Sequence, residues 1–338
     1  MKNVDITFPK SICLDKGKFQ IDLETPKENA ITIDGVFYLP YFLDNLNPGN
    51  SGANGCVLKL IDLEKYNDIR DYPLIPDLVI KVCKHSIPKW KEESQRSKRF
   101  EIEIEALVDC NEHNLPNLMT VHHYGQASIR WSDIERNRNA NFRFYTMDYA
   151  DSQLSKYLEV NNLSLLERLE LCIEICESLK QIWSRNYYHR DIKPDNILFI
   201  EDKWMISDLG LAEHRDQTIE IDDDGEWIGP RGWMSPEAMN KFLAESKPWN
   251  SLHNCKINHQ SDIYQIGKVL WYILQGNSPE GGIRRSDFLW KNENIYQIIR
   301  TMLNNSKERR VKSIEEVISA LKKEQKQLFK VGVIDMLY

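Results

Sequence analysis

No segment of this sequence approaches the roughly 18 uninterrupted apolar residues that a membrane span requires, so no membrane-embedded part is expected. The opening MKNVDITFPKSICLDKGKF lacks the apolar run of a signal peptide, and a reducing cytoplasm is the expected compartment. The 7 cysteines are odd in number and form no CxxC pair, which argues against a disulfide framework and a zinc site. Cys172 and Cys176 stand one helical turn apart in an apolar stripe and read as small buried thiols. Positive charge is not in excess: 44 Lys and Arg face 51 Asp and Glu, net -7, which speaks against a nucleic-acid binder. Internal repeats and low-complexity tracts are absent. What remains is a 338-residue chain with 41% hydrophobic and 28% charged residues, an ordinary globular composition with room for two lobes.

The pattern changes near residue 150. Before it, short β-branched and alternating runs predominate: GVFYLPYFL, CVLKLIDL, LVIKVCK, MTVHHYGQA and NFRFYTMDYA. Residues 1 to about 35 are mixed and polar, with a weak claim to short strands. Residues 64–77 read as a long loop, and SDIERNRNA at 132–140 as a charged loop. One helix interrupts the strands over 89–111, with Phe100, Ile104 and Leu107 at helical spacing. After Ala150 the sequence is helical: LSLLERLELCIEICESLKQIW, QSDIYQIGKVLWYILQG, ENIYQIIRTMLNN and SIEEVISALKKEQKQ.

Residues 188–196 read YHRDIKPDN, and DLG follows at 208–210. Two acids, a lysine and an amide in so short a space are hard to explain by packing. They suit a site that holds and attacks something highly charged, such as a metal-bound triphosphate.

With these motifs in this order, residues 38 to 325 resemble a eukaryotic-type (Hanks-type) Ser/Thr protein kinase domain. The resemblance implies an α+β bilobal kinase fold: a small β-rich N-lobe with one main helix over 38–150, and a larger helical C-lobe over 151–325. Residues 1–37 would be an N-terminal extension and 326–338 a tail. In the loop NSGANGCV, Gly52, Gly55 and Val57 fill the later positions of the family's phosphate-covering loop, while Asn50 takes the first glycine's place. Lys81 corresponds to the lysine that grips the α and β phosphates, with Glu103 as its ion-pair partner. Met147 would be the gatekeeper, and the backbone of Asp148 and Ala150 would meet the adenine edge. Val57, Val79 and Leu198 would sandwich the ring.

By the same resemblance, Asp191 orients the acceptor hydroxyl and takes its proton, and Lys193 neutralises charge on the phosphoryl group. Asn196 and Asp208 hold Mg2+, or Mn2+ in its place. Lys193 points to serine or threonine as the acceptor. Glu237 of MSPE would pair with Arg310, and Asp262 and Gly267 would anchor the catalytic loop. The implied activity is phosphoryl transfer from Mg-ATP to protein substrates, with autophosphorylation. The alternatives are a pseudokinase acting as a nucleotide-binding switch or scaffold, and a small-molecule kinase.

Two departures from the family pattern stand out. Thr218 is the only hydroxyl side chain between Leu209 and Met234, and the acidic run Glu220, Asp222, Asp223, Asp224 and Glu226 follows it. One of these carboxylates would sit on Arg190, where a phosphate usually does. Pro230 replaces a hydrogen-bonding threonine of the peptide platform, leaving Arg231 and Trp233 to shape it.

Overall fold

A computed structural model describes residues 1–15, 18–21, 26–42, 55–66, 75–133, 136–216, 222, 228–244, 255–279 and 281–331. The chain divides into two compact units, Met1–Glu112 with Met119–Tyr149, and His113–Leu118 with Ala150–Tyr338.

The first unit is a sheet with one helix. Its strands are β1 (Lys2–Asn3), β2 (Ile6–Thr7), β3 (Ile12–Asp15), β4 (Lys18–Ile21), β5 (Ile31–Ile33), β6 (Val36–Phe42), β7 (Gly55–Asp62) and β8 (Leu78–Cys83). Helix α1 (Gln95–Glu112) follows, then β9 (Val121–Asp133) and β10 (Arg136–Met147). The strand order is β4-β3-β9-β10-β8-β7-β6-β5, and β1 and β2 also pair with β9. Thus β9 carries β10 on one edge and β1, β2 and β3 in succession along the other, all three parallel to it.

Side chains alternate across a strand, so each strand divides its residues between two faces. On one face Leu58, Leu60, Ile80, Val82, Phe142 and Phe144 form a core that Ile6, Phe8, Ile12, Leu14 and Phe19 of the N-terminal strands complete. The intervening residues Lys81, Arg143 and Tyr145 serve the other face, where Phe100 of α1 lies 5.7 Å from the Tyr145 ring. Gly125 permits the N-terminal docking: a Cβ there would stand 2.1 Å from the carbonyl oxygen of Val4, whose own N–H is bonded to Tyr124.

Two elements differ from the sequence reading. Residues 132–133 and 136–140 are not loop but strand, with Arg136 paired to Asp133 and the ladder continuing without interruption to Tyr145–Tyr124. Backbone pairing sustains that ribbon, so its polarity hid it from a reading based on hydrophobic alternation. Helix α1 begins at Gln95 rather than 89, after the turn in which Ser94 accepts the first backbone bonds from Ser97 and Lys98.

The second unit is mainly helical: α2 (Leu154–Val160), α3 (Leu165–Ser184), α4 (Pro236–Ala244), α5 (His259–Gln275), α6 (Glu293–Met302) and α7 (Ile314–Val331). Its small sheets use β11 (Ser152–Gln153), β12 (Tyr187–Tyr188), β13 (Ile197–Ile200), β14 (Lys203–Ile206) and β15 (Glu213–His214). Ser164 and Glu167 form the capping box that starts α3, which stabilises the helix by about 1 kcal/mol. Its apolar stripe, including Leu169, Cys172, Ile175, Cys176 and Leu179, is fully buried. Burial pushes both thiols far above their ordinary range, so they are packing residues rather than a reactive pair. Helix α5 runs from Asn258, whose side chain accepts from Gln260 N–H, to Gly276 in the left-handed region at φ 78°. This α+β architecture, one β-rich unit and one helical unit, agrees with the sequence reading. Among the described residues no helix is long and apolar enough to cross a membrane.

Candidate functional site

The loop 188–196 is held from beneath by a fully buried carboxylate. Asp262 on α5 accepts from the backbone N–H of His189 (2.9 Å) and Arg190 (2.9 Å) and from Trp183 Nε1 (3.0 Å). Gln265, one turn along, donates to Arg190 O (2.9 Å) and accepts from Ile192 N–H (3.1 Å). These bonds hold Arg190 at φ 70°, a backbone state costly for a side chain with a Cβ. Gly267 lies farther along α5, where a Cβ would meet that of Met302 at 2.9 Å.

Burial keeps the His189 imidazole neutral, its pKa pushed below the ordinary value. Its Nε2 donates to Ser207 O (3.1 Å), which leaves Nδ1 to accept from Asp191 N–H (3.2 Å). The Asp191 backbone is thereby fixed. On its side chain, Lys193 Nζ (3.0 Å) and Asn196 Nδ2 (2.8 Å) converge on a single oxygen, Oδ2. Burial, with the nearby Asp208 charge, lifts the Asp191 carboxyl above its usual value, although Lys193 and Asn196 oppose the shift.

Asp208 follows β14 at φ 64°, in the left-handed region. Asn196 commits its amide N–H group to Asp191, which leaves its oxygen for another partner. The Asp208 carboxylate and the Asn196 amide oxygen are hard donors that suit Mg2+, a cation commonly bound by one or two carboxylates plus phosphate oxygens. Among the described residues no three-member His, Cys, Asp or Glu cluster that could hold a metal occurs.

The first unit carries the lysine pair. Lys81 Nζ lies 2.7 Å from Glu103 Oε1, with Glu103 only 1% exposed. Of the three glutamates 101, 103 and 105, only Glu103 is buried. Tyr145, the cross-strand neighbour of Lys81, donates its hydroxyl to the same Glu103 oxygen at 2.9 Å. Gly55 lies close against this pair: a Cβ there would stand 3.0 Å from Lys81 Cε, so the lysine stem would have to shift by a few tenths of an ångström. Val57 pairs with Lys81, and Met147 with Val79, in the neighbouring ladders. Asp148 Oδ1 lies within hydrogen-bond distance of His122 Nε2, at 2.7 Å. Ala150 and Leu198 belong to the second unit, where Leu198 on β13 is half-buried. Asn50 and Gly52 lie outside the described residues.

Arg190 is 5% exposed and anchors two carboxylates, Glu213 Oε2 (2.7 Å) and Asp222 Oδ2 (2.5 Å). Lys241 adds a second cation to Asp222 at 3.3 Å. Asp222 belongs to the acidic run, while Thr218, Glu220, Asp223, Asp224 and Glu226 lie outside the described residues. Glu213 and Tyr145 were missed from sequence. Tyr145 was detectable in principle, since β8 and β10 are both apolar strands and an inward tyrosine needs a partner. Glu213 carries no local signal.

Glu237 and Arg310 form a bidentate pair at 2.7 and 2.9 Å, both at most 1% exposed. Just before it, Pro230 is buried and Arg231 is exposed. Trp233 packs edge-on to Tyr272 at 5.8 Å and beneath Lys268 Nζ at 6.0 Å, and Lys268 donates to Gly232 O.

The family model described as the protein kinase domain matches residues 76–331. The chain is 30% identical over 111 residues to the serine/threonine-protein kinase STY46 of Arabidopsis thaliana, covering 32% of this chain and 16% of that protein. It is 24% identical over 241 residues to the mitogen-activated protein kinase p38b of Drosophila melanogaster, 71% of this chain and 56% of that one. Against the dual specificity protein kinase TTK of Mus musculus it is 21% identical over 173 residues, 47% and 20% of the two chains. The chain therefore spans between 16% and 56% of the length of these relatives.

Proposed function

The chain belongs to the protein kinase family, and on that premise we propose that it is an active, cytoplasmic Ser/Thr kinase that transfers the γ-phosphoryl group of Mg-ATP to protein hydroxyls, its own included. The domain limits proposed with it are lobes at 38–150 and 151–325, an extension at 1–37 and a tail at 326–338.

The observation that carries the reading is the convergence of Lys193 and Asn196 on one oxygen of Asp191. Such a carboxylate is oriented, partly neutralised and above its usual pKa, as suits a group that receives a proton late in transfer. The acceptor oxygen bonds to the γ-phosphorus, the bond to the bridging oxygen breaks, and the hydroxyl proton passes to Asp191. Lys193 offsets charge on the moving phosphoryl group. Lys81, held by Glu103, would grip the α and β phosphates. Asn196 and Asp208 would hold the divalent cation, which supplies charge neutralisation between the phosphates. Gly52, Gly55, Val57, Val79, Met147, Asp148, Ala150 and Leu198 are proposed as nucleotide contacts.

Serine and threonine as acceptors rest on Lys193. The altered segment at Pro230 means that the peptide platform is not the family's usual one. The test is intact mass after incubation with ATP and Mg2+, starting from phosphatase-treated protein, with Asp191→Asn alongside. Steps of one phosphate in the wild type alone would support the proposal. Magnesium-dependent ATP binding without added phosphate, on the protein or on added substrates, would instead select a pseudokinase.

A further inference from the structure

Helix α1 is joined to strand β10 by more than the Glu103 contact. Arg143 and Tyr145 are two apart on β10 and so project to one face. Glu93, Ser97 and Glu101 are spaced by four and so form one stripe at the start of α1 and just before it. Arg143 reaches that stripe at two heights. Its Nη1 bonds to Glu93 and to Ser97 Oγ (3.0 Å), and its Nη2 lies 2.8 Å from Glu101. Ser97 Oγ in turn donates to Glu93 at 2.5 Å.

Arg143 is 12% exposed, Glu93 20% and Glu101 47%, so the Glu93 arm is the stronger and the Glu101 arm is partly screened by solvent. Burial alone would raise the Glu93 carboxyl, but the bonds from Arg143 and Ser97 outweigh it and hold it below its ordinary value. Glu105, on the same helix, is shifted the other way, by burial and by Glu101. Lys98 also acts on Glu93 and pairs with Glu92 at 3.4 Å.

We propose that Arg143 is a positioning residue that fixes the height and rotation of α1, and through them Glu103. Turning α1 by one residue, about 100°, would break the Glu93, Glu101 and Tyr145–Glu103 contacts together. The meaning for catalysis rests on the phosphotransfer reading above, because a kinase needs its Lys81–Glu103 pair in place. The latch itself does not rest on that reading.

The test uses the full chain without nucleotide. Arg143→Met should raise hydrogen exchange of α1 amides about tenfold, with exchange in β7 and β8 unchanged. Arg143→Lys, which keeps the charge but loses the fork, should fall between. If Arg143→Met fails to fold, the milder Glu93→Gln carries the same expectation. Unchanged α1 exchange in the folded variants would overturn the proposal. In phosphate transfer, Arg143→Met should cost about tenfold, and the double variant Arg143→Met/Glu103→Gln should lose no more than Glu103→Gln alone. Additive losses would mean that Arg143 acts only as a general stabiliser, which also overturns it. Absence of transfer in the wild type, with α1 exchange responding as expected, would overturn the kinase reading and leave the latch standing.

Discussion

Asp191 is 8% exposed, yet the proposed transfer requires it to be ionised so that it can receive a proton. Burial and the Asp208 charge make its anion costly, and two hydrogen bonds recover only part of that cost. Its folded pKa is raised, so its anion detracts from stability at neutral pH, and that penalty disappears as the pH falls below both its folded and unfolded values. Asp191→Asn should therefore lower phosphate transfer about 10²- to 10⁴-fold while leaving the thermal midpoint equal or higher. A transfer assay beside calorimetry checks both halves. Arg190 presents the opposite case, a buried cation with two acids on it. If those carboxylates stand in for a phosphate, phosphatase-treated wild type is active at once, and Asp222→Asn costs about tenfold in rate, given the strength of a charge-assisted bond. Undiminished activity in that variant would remove the idea.

At the scale of elements, β9 does the most joining. It receives three parallel N-terminal strands on one edge, and Gly125 is the point where the incoming backbone comes closest. Gly125→Ala should lower stability by about 1–3 kcal/mol and expose β1–β3 to limited proteolysis, while the Lys81–Glu103 face is little changed. Urea unfolding with mass mapping of the cleavage sites measures both. These N-terminal strands also show what sequence could and could not tell. Helices α3, α5, α6 and α7 were legible because their apolar periodicity is written within each segment. The docking of Ile6, Phe8 and Leu14 depends on residues more than a hundred positions away, and no local pattern encodes it. The site behaved the same way. Lys81, Asp191, Asn196 and Asp208 stand in compact motifs that chemistry makes conspicuous. Arg143, Glu213 and Tyr145 act through folded-state neighbours and carry no motif.

On the scale of the molecule, acid sensitivity follows from its paired carboxylates. Bonds from Arg310 and Ser261 overcome the effect of burial on Glu237 and hold its carboxyl below its ordinary 4.5, and Glu93 is shifted the same way. A depressed folded pKa gives stability that is present above about pH 4.5 and is lost as the pH falls through the folded value. Glu237→Gln leaves Arg310 fully buried beside a neutral partner, so it should cost about 3–5 kcal/mol at pH 7. The gap from wild type should narrow as the pH falls below about 4.5 and through the depressed folded value, as Glu237 itself becomes protonated. Denaturant titrations at neutral and acid pH test it.

The strands along β9 also set an order in time. Gln126 N–H bonds to Asp5, 121 positions earlier in the chain. At synthesis rates of roughly 5–20 residues per second, the first strands wait on the order of 6–24 s before the edge they pair with has been made. Throughout that interval Ile6, Phe8, Ile12 and Leu14 lack the β9 edge that places them on the core. The segment that completes the core of the first unit is thus made well before the strand it pairs with, and a chaperone would find it waiting on the nascent chain.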